Sequence, residues 1–290
     1  MMFDVRCVME KVESIEQLKE LIAYVRNMRQ GFVTNFYVDE EKHAAWIRTG
    51  EFQYDKWDDT VFLLFDHYSP DNAKYFTNMF YISTSEDAML ARLKEYPEKY
   101  IYDLYVIDVI SRKPSVISDQ CSVCEEPLVE KLKAMRGYND ATLVRMTRIN
   151  GEGLMVNGEC IYATRDDVSL IDELLHMHFD EQMEQLPLVE ELEKMIAQKH
   201  ILLSMREGKV AGMLLFDLNA TTLYLRYWLV LPEYRNKGVG SELLRQFLWE
   251  GRETKRQILW VNEANENAIV RYEHYGFKKE NMYDYIIRYC

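Results

Sequence analysis

The run Arg235-Asn236-Lys237-Gly238-Val239-Gly240-Ser241 collects the residue types that bind an anion: two cations, two glycines and a hydroxyl. It stands between two segments of opposite periodicity. Upstream, Thr222 to Leu231 is rich in β-branched and aromatic residues and predicts a strand. Downstream, Val239, Leu243, Leu244, Phe247 and Leu248 recur at helical spacing, which predicts a helix beginning near Gly240. A strand turning into a helix leaves the first helical N–H groups without internal partners, at the positive end of the helix dipole. Diphosphates are the usual guests of such a turn. The alternative is a plain strand-to-helix turn in which Gly238 and Gly240 serve geometry alone. A P-loop fails, because its lysine follows the last glycine and Lys237 precedes Gly238. A dinucleotide fingerprint wants a third glycine where Leu243 stands, and only Glu263, near the place of its acidic residue, speaks for it.

A second segment decides between these readings. After a predicted strand at Gln257 to Asn262 come Asn265, Ala268, Tyr272 and the pair Gly276-Phe277. Taken with Val230-Leu231-Pro232 and the Arg235-x-x-Gly238-x-Gly240 turn, this resembles the GCN5-related N-acetyltransferase (GNAT) family. That family's acetyl-CoA loop reads Arg/Gln-x-x-Gly-x-Gly/Ala, and its last helix carries Asn-x-x-Ala-x-x-x-Tyr-x-x-x-Gly-Phe. Every named position is filled here, and the resemblance runs from about Cys160 to the C-terminus.

The resemblance implies acetyl-CoA as the bound cofactor and direct transfer of its acetyl group to an amine of a small molecule or a protein. It implies that the backbone around Leu229 and Val230 binds the pantetheine arm and the acetyl carbonyl, where the family's strand splays open. The turn from Arg235 through Asn236, Lys237, Gly238, Val239 and Gly240 to Ser241 would hold the diphosphate. Asn265 and Ala268 would touch CoA, although capping of the last helix also explains Asn265. Tyr272 would be the general acid that protonates the departing thiolate. By spacing alone Tyr272 equally fits the apolar face of its helix, beside Ala268 and Ile269. For the base that deprotonates the amine, Glu263 is the first candidate and Asp217 the second. His176 and His178 lie two apart on a predicted helix and so face different directions.

Composition sets the outer bounds. A chain of 290 residues, 48% hydrophobic and 29% charged, is that of one or two globular domains. A net charge of −13 disfavours binding to nucleic acid or an anionic membrane, both of which reward basic patches. No apolar run reaches the length of a membrane span, and the start Met-Met-Phe-Asp-Val-Arg-Cys has no signal-peptide pattern, so the expected location is cytoplasmic. Five cysteines do not make a disulfide framework, and the lone Cys121-x-x-Cys124 lacks a second ligand pair, so no metal site is expected.

The remaining elements must position the site. Past the linker candidate Asn150-Gly-Glu-Gly153, the order strand, two helices, three strands, helix, strand, helix, strand repeats an order already present before it. The first pass includes strands Phe3–Met9, Thr60–Tyr68, Tyr75–Ser83 and Tyr100–Ile110, and helices Ser14–Met28, Ser85–Tyr96 and Glu126–Arg136. The second includes helices Val168–Met183 and Leu188–Gln198 and the hairpin His200–Leu218. The expected fold is α/β, α+β in its layering: two tandem acyl-CoA N-acyltransferase-like domains, each a mixed, mainly antiparallel twisted sheet flanked by helices. Residues 1–150 would be a degenerate copy without a cofactor loop, and residues 151–290 the acetyl-CoA domain. In the first copy the turn is Ser83-Thr84-Ser85-Glu86-Asp87, with two carboxylates and no cation; Ser83 with Glu86, or Thr84 with Asp87, fits a capping box. Lys133 falls where the second copy has Tyr272. The other function class open to such a chain is a non-catalytic CoA-binding sensor whose first half docks a partner.

Overall fold

In a computed structural model of the chain, the described residues are 9–68, 74–95, 104–112, 126–149 and 160–290. Cys121, Cys124 and the Asn150–Gly153 segment lie outside them, as does the predicted strand Phe3–Met9 except for Met9. Two compact units form: residues 1–142 with 284–290, and residues 143–283.

The N-terminal unit runs β1 (Glu10–Lys11), α1 (Ile15–Arg26), β2 (Val33–Thr34), α2 (Glu40–Thr49), β3 (Phe52–Lys56), β4 (Thr60–Tyr68), β5 (Lys74–Ser83), α3 (Glu86–Leu93), β6 (Tyr105–Arg112) and α4 (Pro127–Ala134), then the start of β7 (Gly137–Ile149). β3, β4 and β5 are antiparallel neighbours, and β5 pairs in parallel with β6 only at Thr77–Tyr105 and Asn78–Val106. The cap of α3 corrects the capping-box expectation. Its N-cap is Ser85, whose hydroxyl accepts from the Ala88 N–H at 3.1 Å. Ser83 is unavailable because it ends β5 with its hydroxyl 2.7 Å from that of Thr60. Asp87 and Glu86 are engaged by Lys131, at 2.9 and 3.6 Å, and Lys133 pairs with Glu130 at 2.7 Å.

Beyond Asn78, β5 takes a partner that the sequence did not announce. β2 pairs with it at Val33–Ser83 and Thr34–Ile82, on the edge away from β4. The next residue, Asn35, spans the opening between β5 and β6. Its side-chain Oδ1 accepts from the Tyr81 N–H at 2.7 Å and its side-chain Nδ2 donates to the Asp108 carbonyl at 3.0 Å.

The C-terminal unit runs from the second part of β7 through β8 (Cys160–Tyr162), α5 (Val168–His178), α6 (Val189–Ala197), β9 (Ile201–Arg206), β10 (Lys209–Leu218), β11 (Thr222–Val230), α7 (Val239–Glu250), β12 (Arg256–Asn262) and α8 (Glu266–His274) into β13 (Lys278–Tyr289). Its strands lie in the order β7-β12-β11-β10-β9-β8. Each neighbouring pair is antiparallel except β11 with β12. The first helix is shorter than its apolar spacing predicts, stopping at His178 and not Met183. Phe179 turns extended, the Asp180 side chain accepts from the Gln182 N–H at 2.9 Å, and its carbonyl accepts from Met183 and Glu184. That closed turn satisfies the backbone locally and ends the helix.

Each face of this sheet carries its own core. One joins Leu214, Phe216, Leu223 and Leu225 to Leu243, Leu244 and Phe247 of α7 and Ile269 and Tyr272 of α8. The other joins Met213, Leu215, Tyr227 and Leu229 to Ile171 and Leu175 of α5 and Leu192 of α6. On β11 the inward parity changes between Leu225 and Tyr227, because a bulge there leaves Arg226 unmatched: Leu215 faces Tyr227, and Phe216 faces Leu225. One extra residue turns every later side chain to the opposite face. Trp228 and Val230 are thereby directed at the α7–α8 core.

Close approach behind this strand depends on Gly212. A Cβ there would lie 2.7 Å from the Leu229 carbonyl oxygen and 2.9 Å from Val239 Cγ1. The carbonyl belongs to a paired strand and has no freedom to move aside. Gly212→Ala is expected to cost about 1–3 kcal/mol through overpacking. Thermal denaturation reads this as a lowered midpoint, and an unchanged midpoint would show that the strand yields.

Candidate active site

Pairing between β11 and β12 covers Thr222–Arg256 through Leu225–Leu259 and then stops, although β11 continues to Val230 and β12 to Asn262. Two parallel strands have parted, at the Arg226 bulge. No described strand pairs with β11 from Arg226 to Val230 on the side of β12. An extended ligand with amide groups can take those positions as a strand would.

The open edge leads directly into the basic turn. Pro232–Tyr234 forms one 3-10 turn, and Arg235 folds back so that Nε donates to the Val230 carbonyl at 3.3 Å. Asn236 and Gly238 both adopt left-handed backbone, with φ of 60° and 83°. Gly238 is the N-cap of α7, and the first helical bond is Glu242 N–H to the Gly238 carbonyl at 3.0 Å. The N–H groups of Val239, Gly240 and Ser241 therefore precede the helical ladder, at the positive end of its dipole. A Cβ built on Gly238 meets nothing within 4 Å, so the cradle is open. Gly240 differs: its Cβ position is 3.0 Å from the Trp228 ring, so this glycine lets the helix start against β11. Lys237 extends over the Tyr234 ring at 5.6 Å. These features fit a diphosphate bound to a pantetheine arm.

Tyr272, on α8, lies against Trp228 and Phe277 with ring centroids 5.4 and 5.9 Å apart. The ring is buried, and among the described residues its hydroxyl has no hydrogen-bond partner. Burial, and then the charge of Glu184, push its pKa above the usual phenol value, so it is protonated at neutral pH. Asn265 caps α8 by accepting from the Ala268 N–H at 3.1 Å. Tyr272 thus packs against Trp228 of the strand whose Leu229 and Val230 lead into the basic turn.

Of the two expected bases, Glu263 is exposed in the turn after β12. Asp217 is paired with Arg226 at 3.1 Å. His176 is bonded back to the Asp172 carbonyl at 2.9 Å on its own helix. Burial and then the charge of Glu242 push the Cys160 thiol up to about 11, the wrong direction for a nucleophile. The sequence missed two groups in this region, Trp228 and Glu184. Trp228 Nε1 is buried without a partner, and Glu184 sits in the α5–α6 connection, one residue past the expected end of the helix at Met183. A clearer signal was the Asp180-Glu181 pair ahead of Pro187, a composition that ends helices.

Residues 169–277 match the model of the acetyltransferase (GNAT) family. No curated protein matches the sequence. Among solved structures, a GCN5-related N-acetyltransferase from Sphaerobacter thermophilus superposes at a TM-score of 0.55 and 13% identity, covering 93% of this chain and 90% of that one. An acetyltransferase of the GNAT family from Colwellia psychrerythraea gives 0.52 at 12% identity, covering 97% and 98%. A tandem GNAT protein from the clavulanic acid biosynthesis pathway gives 0.54 at 11% identity, covering 95% and 94%. At such identities the likeness is one of fold, and it extends across both units. Residues 169–277 thus resemble the acetyltransferase (GNAT) family, within a chain that shares its fold with a tandem GNAT protein.

Proposed function

We propose that the C-terminal unit transfers the acetyl group of acetyl-CoA directly to an amine of a small molecule or a protein. The observation that carries this reading is the run from the unpaired edge of β11 into the free N–H groups of α7, with the Tyr272 phenol beside it. Acetyl-CoA supplies an activated acyl carbon and a thiolate leaving group. Backbone groups of Leu229 and Val230 align its arm, and the turn from Arg235 to Ser241 neutralises its diphosphate. Tyr272 gives its proton to the thiolate sulfur as that charge develops. Arg235→Ala removes one charge-assisted phosphate contact, expected to cost about 1.5–3 kcal/mol or roughly 10–100-fold in acetyl-CoA affinity. Unchanged affinity by calorimetry would place the diphosphate elsewhere.

The N-terminal unit, on this proposal, is a degenerate copy that holds no cofactor. β2 and Asn35 already satisfy the β5 edge that corresponds to the open edge of β11. Calorimetry is expected to give one acetyl-CoA per chain, and two sites would refute the degenerate copy. Turnover with a panel of amines separates the transferase from a CoA-binding sensor.

A further inference from the structure

The α5–α6 connection, residues 179–188, carries a carboxylate with no evident structural task. Its neighbours in sequence are tied down on both sides of the opening. Asn262 Nδ2, at the end of β12, donates to Met183 Sδ at 3.6 Å. Tyr227 Oη, on β11, donates to the Gln185 carbonyl at 2.5 Å. Glu184 lies between these two anchors, so it is held where β11 and β12 part. Its own N–H is occupied by the Asp180 carbonyl at 2.8 Å. Among the described residues its carboxylate makes no hydrogen bond and no ion pair. Two residues back in the same connection, Gln182 Oε1 is buried without a partner, as is Trp228 Nε1 on β11.

A half-buried carboxylate without a cation costs stability, and a cationic ligand would recover that cost. An alkylammonium completes this one, bringing the missing charge and N–H donors. We propose that Glu184 binds the acceptor as an ammonium and takes its proton, so that the acceptor is an aliphatic primary amine that is cationic at neutral pH. The inference rests on the transferase reading above. In the balanced step, R–NH3+ gives one proton to the Glu184 carboxylate and becomes R–NH2. The nitrogen lone pair forms the C–N bond, and the C–S bond breaks with its electrons going to sulfur. The thiolate takes the Tyr272 proton, and the second proton lost by nitrogen restores the phenol. Glu184 then releases its proton to water.

The remaining observations agree with that assignment. Burial, reinforced by Asp180, raises the Glu184 carboxyl to about 7, within range of a base that works at neutral pH. The titratable groups facing it are Asp180 from its own loop, Tyr227 from β11 and Tyr272 from α8. Neutralising Glu184 also removes the charge that helps hold the Tyr272 phenol up, which favours proton donation at the moment it is needed. The N-terminal unit offers an internal contrast. There the equivalent helix–helix connection supplies β2 and Asn35, which occupy the edge of β5 and bridge to β6.

The test is Glu184→Gln in the full chain, with acetyl-CoA and four amines: n-butylamine, a diamine, an aminosugar and a lysine-containing peptide, with aniline as an amine uncharged at neutral pH. Wild-type kcat/KM is expected to rise with pH around a midpoint near 7 for the aliphatic amines and to stay low for aniline. The variant is expected to lose about 100-fold at pH 8 and to lose that midpoint, with acetyl-CoA affinity unchanged. Folding is tested in the same samples. A carboxyl whose folded pKa is raised contributes stability below its unfolded value, and that contribution is lost as pH rises through 7. The neutral glutamine should therefore leave Tm at pH 8 equal or higher. Activity within threefold of wild type, a midpoint that survives, or a lower Tm accompanying the loss would each overturn the role of Glu184 alone. Wild-type protein that binds acetyl-CoA and acetylates none of the amines overturns the transferase reading, and the role of Glu184 with it.

Discussion

Tyr272→Phe is expected to lower kcat by about 100-fold or more while acetyl-CoA affinity and Tm hold, the range typical of a lost general acid. The structure makes this a clean substitution. The hydroxyl has no hydrogen-bond partner among the described residues, so its removal orphans no other polar group. The phenylalanine ring keeps the contacts with Trp228 and Phe277 that fix the side chain. A merely structural tyrosine would therefore show neither a stability loss nor a rate loss. A phenol with a raised pKa is also protonated across the working pH range, so the variant's deficit should not depend on pH between 6 and 9 by more than about threefold. Rapid-quench measurement of the chemical step with n-butylamine decides it. A chemical step slowed less than threefold would return Tyr272 to packing alone.

The site was legible in the sequence wherever backbone conformation dictates residue type. Gly238 sits at φ 83° as the cap of α7, and Asn265 caps α8 through the Ala268 N–H; both positions tolerate few residues, so their spacing carries information. The β5 and β11 strands were equally plain, since both are long runs of aromatic and aliphatic residues. Three features were not legible, each for a physical reason. β3 is short and interrupted by Gln53, Asp55 and Lys56, so its alternation of Phe52 and Tyr54 is two residues deep. The Arg226 bulge leaves no mark on composition, yet it decides which side chains face the α7–α8 core. The end of α5 at His178 is set by the Asp180 turn, while the apolar spacing runs on. That overrun left Glu184 just past the expected end of the helix at Met183, with Glu263 and Asp217 as the carboxylates chosen.

The second large effect isolates charge at the turn. Gly238→Asp and Gly238→Asn differ by little more than one negative charge, and both residues tolerate left-handed backbone better than other L-residues. Each should cost the fold about 1 kcal/mol at φ 83°, with no steric penalty, because nothing lies within 4 Å of the new Cβ. The carboxylate of the aspartate, however, would face the phosphates across the same free N–H groups. Like charges about 5 Å apart at an effective dielectric near 20 repel by about 3 kcal/mol per pair, which is roughly 100-fold in affinity. The aspartate would also draw the Val239 to Ser241 N–H groups to itself as a cap, competing for the donors that the diphosphate needs. The asparagine variant is expected to retain most of its acetyl-CoA affinity and the aspartate variant to lose about 100-fold relative to it, with equal Tm values. Because exposed charges are screened, the gap should narrow between 50 mM and 500 mM salt. Calorimetry of both variants reads the difference directly, and equal affinities at low salt would mean that no anion binds at the start of α7.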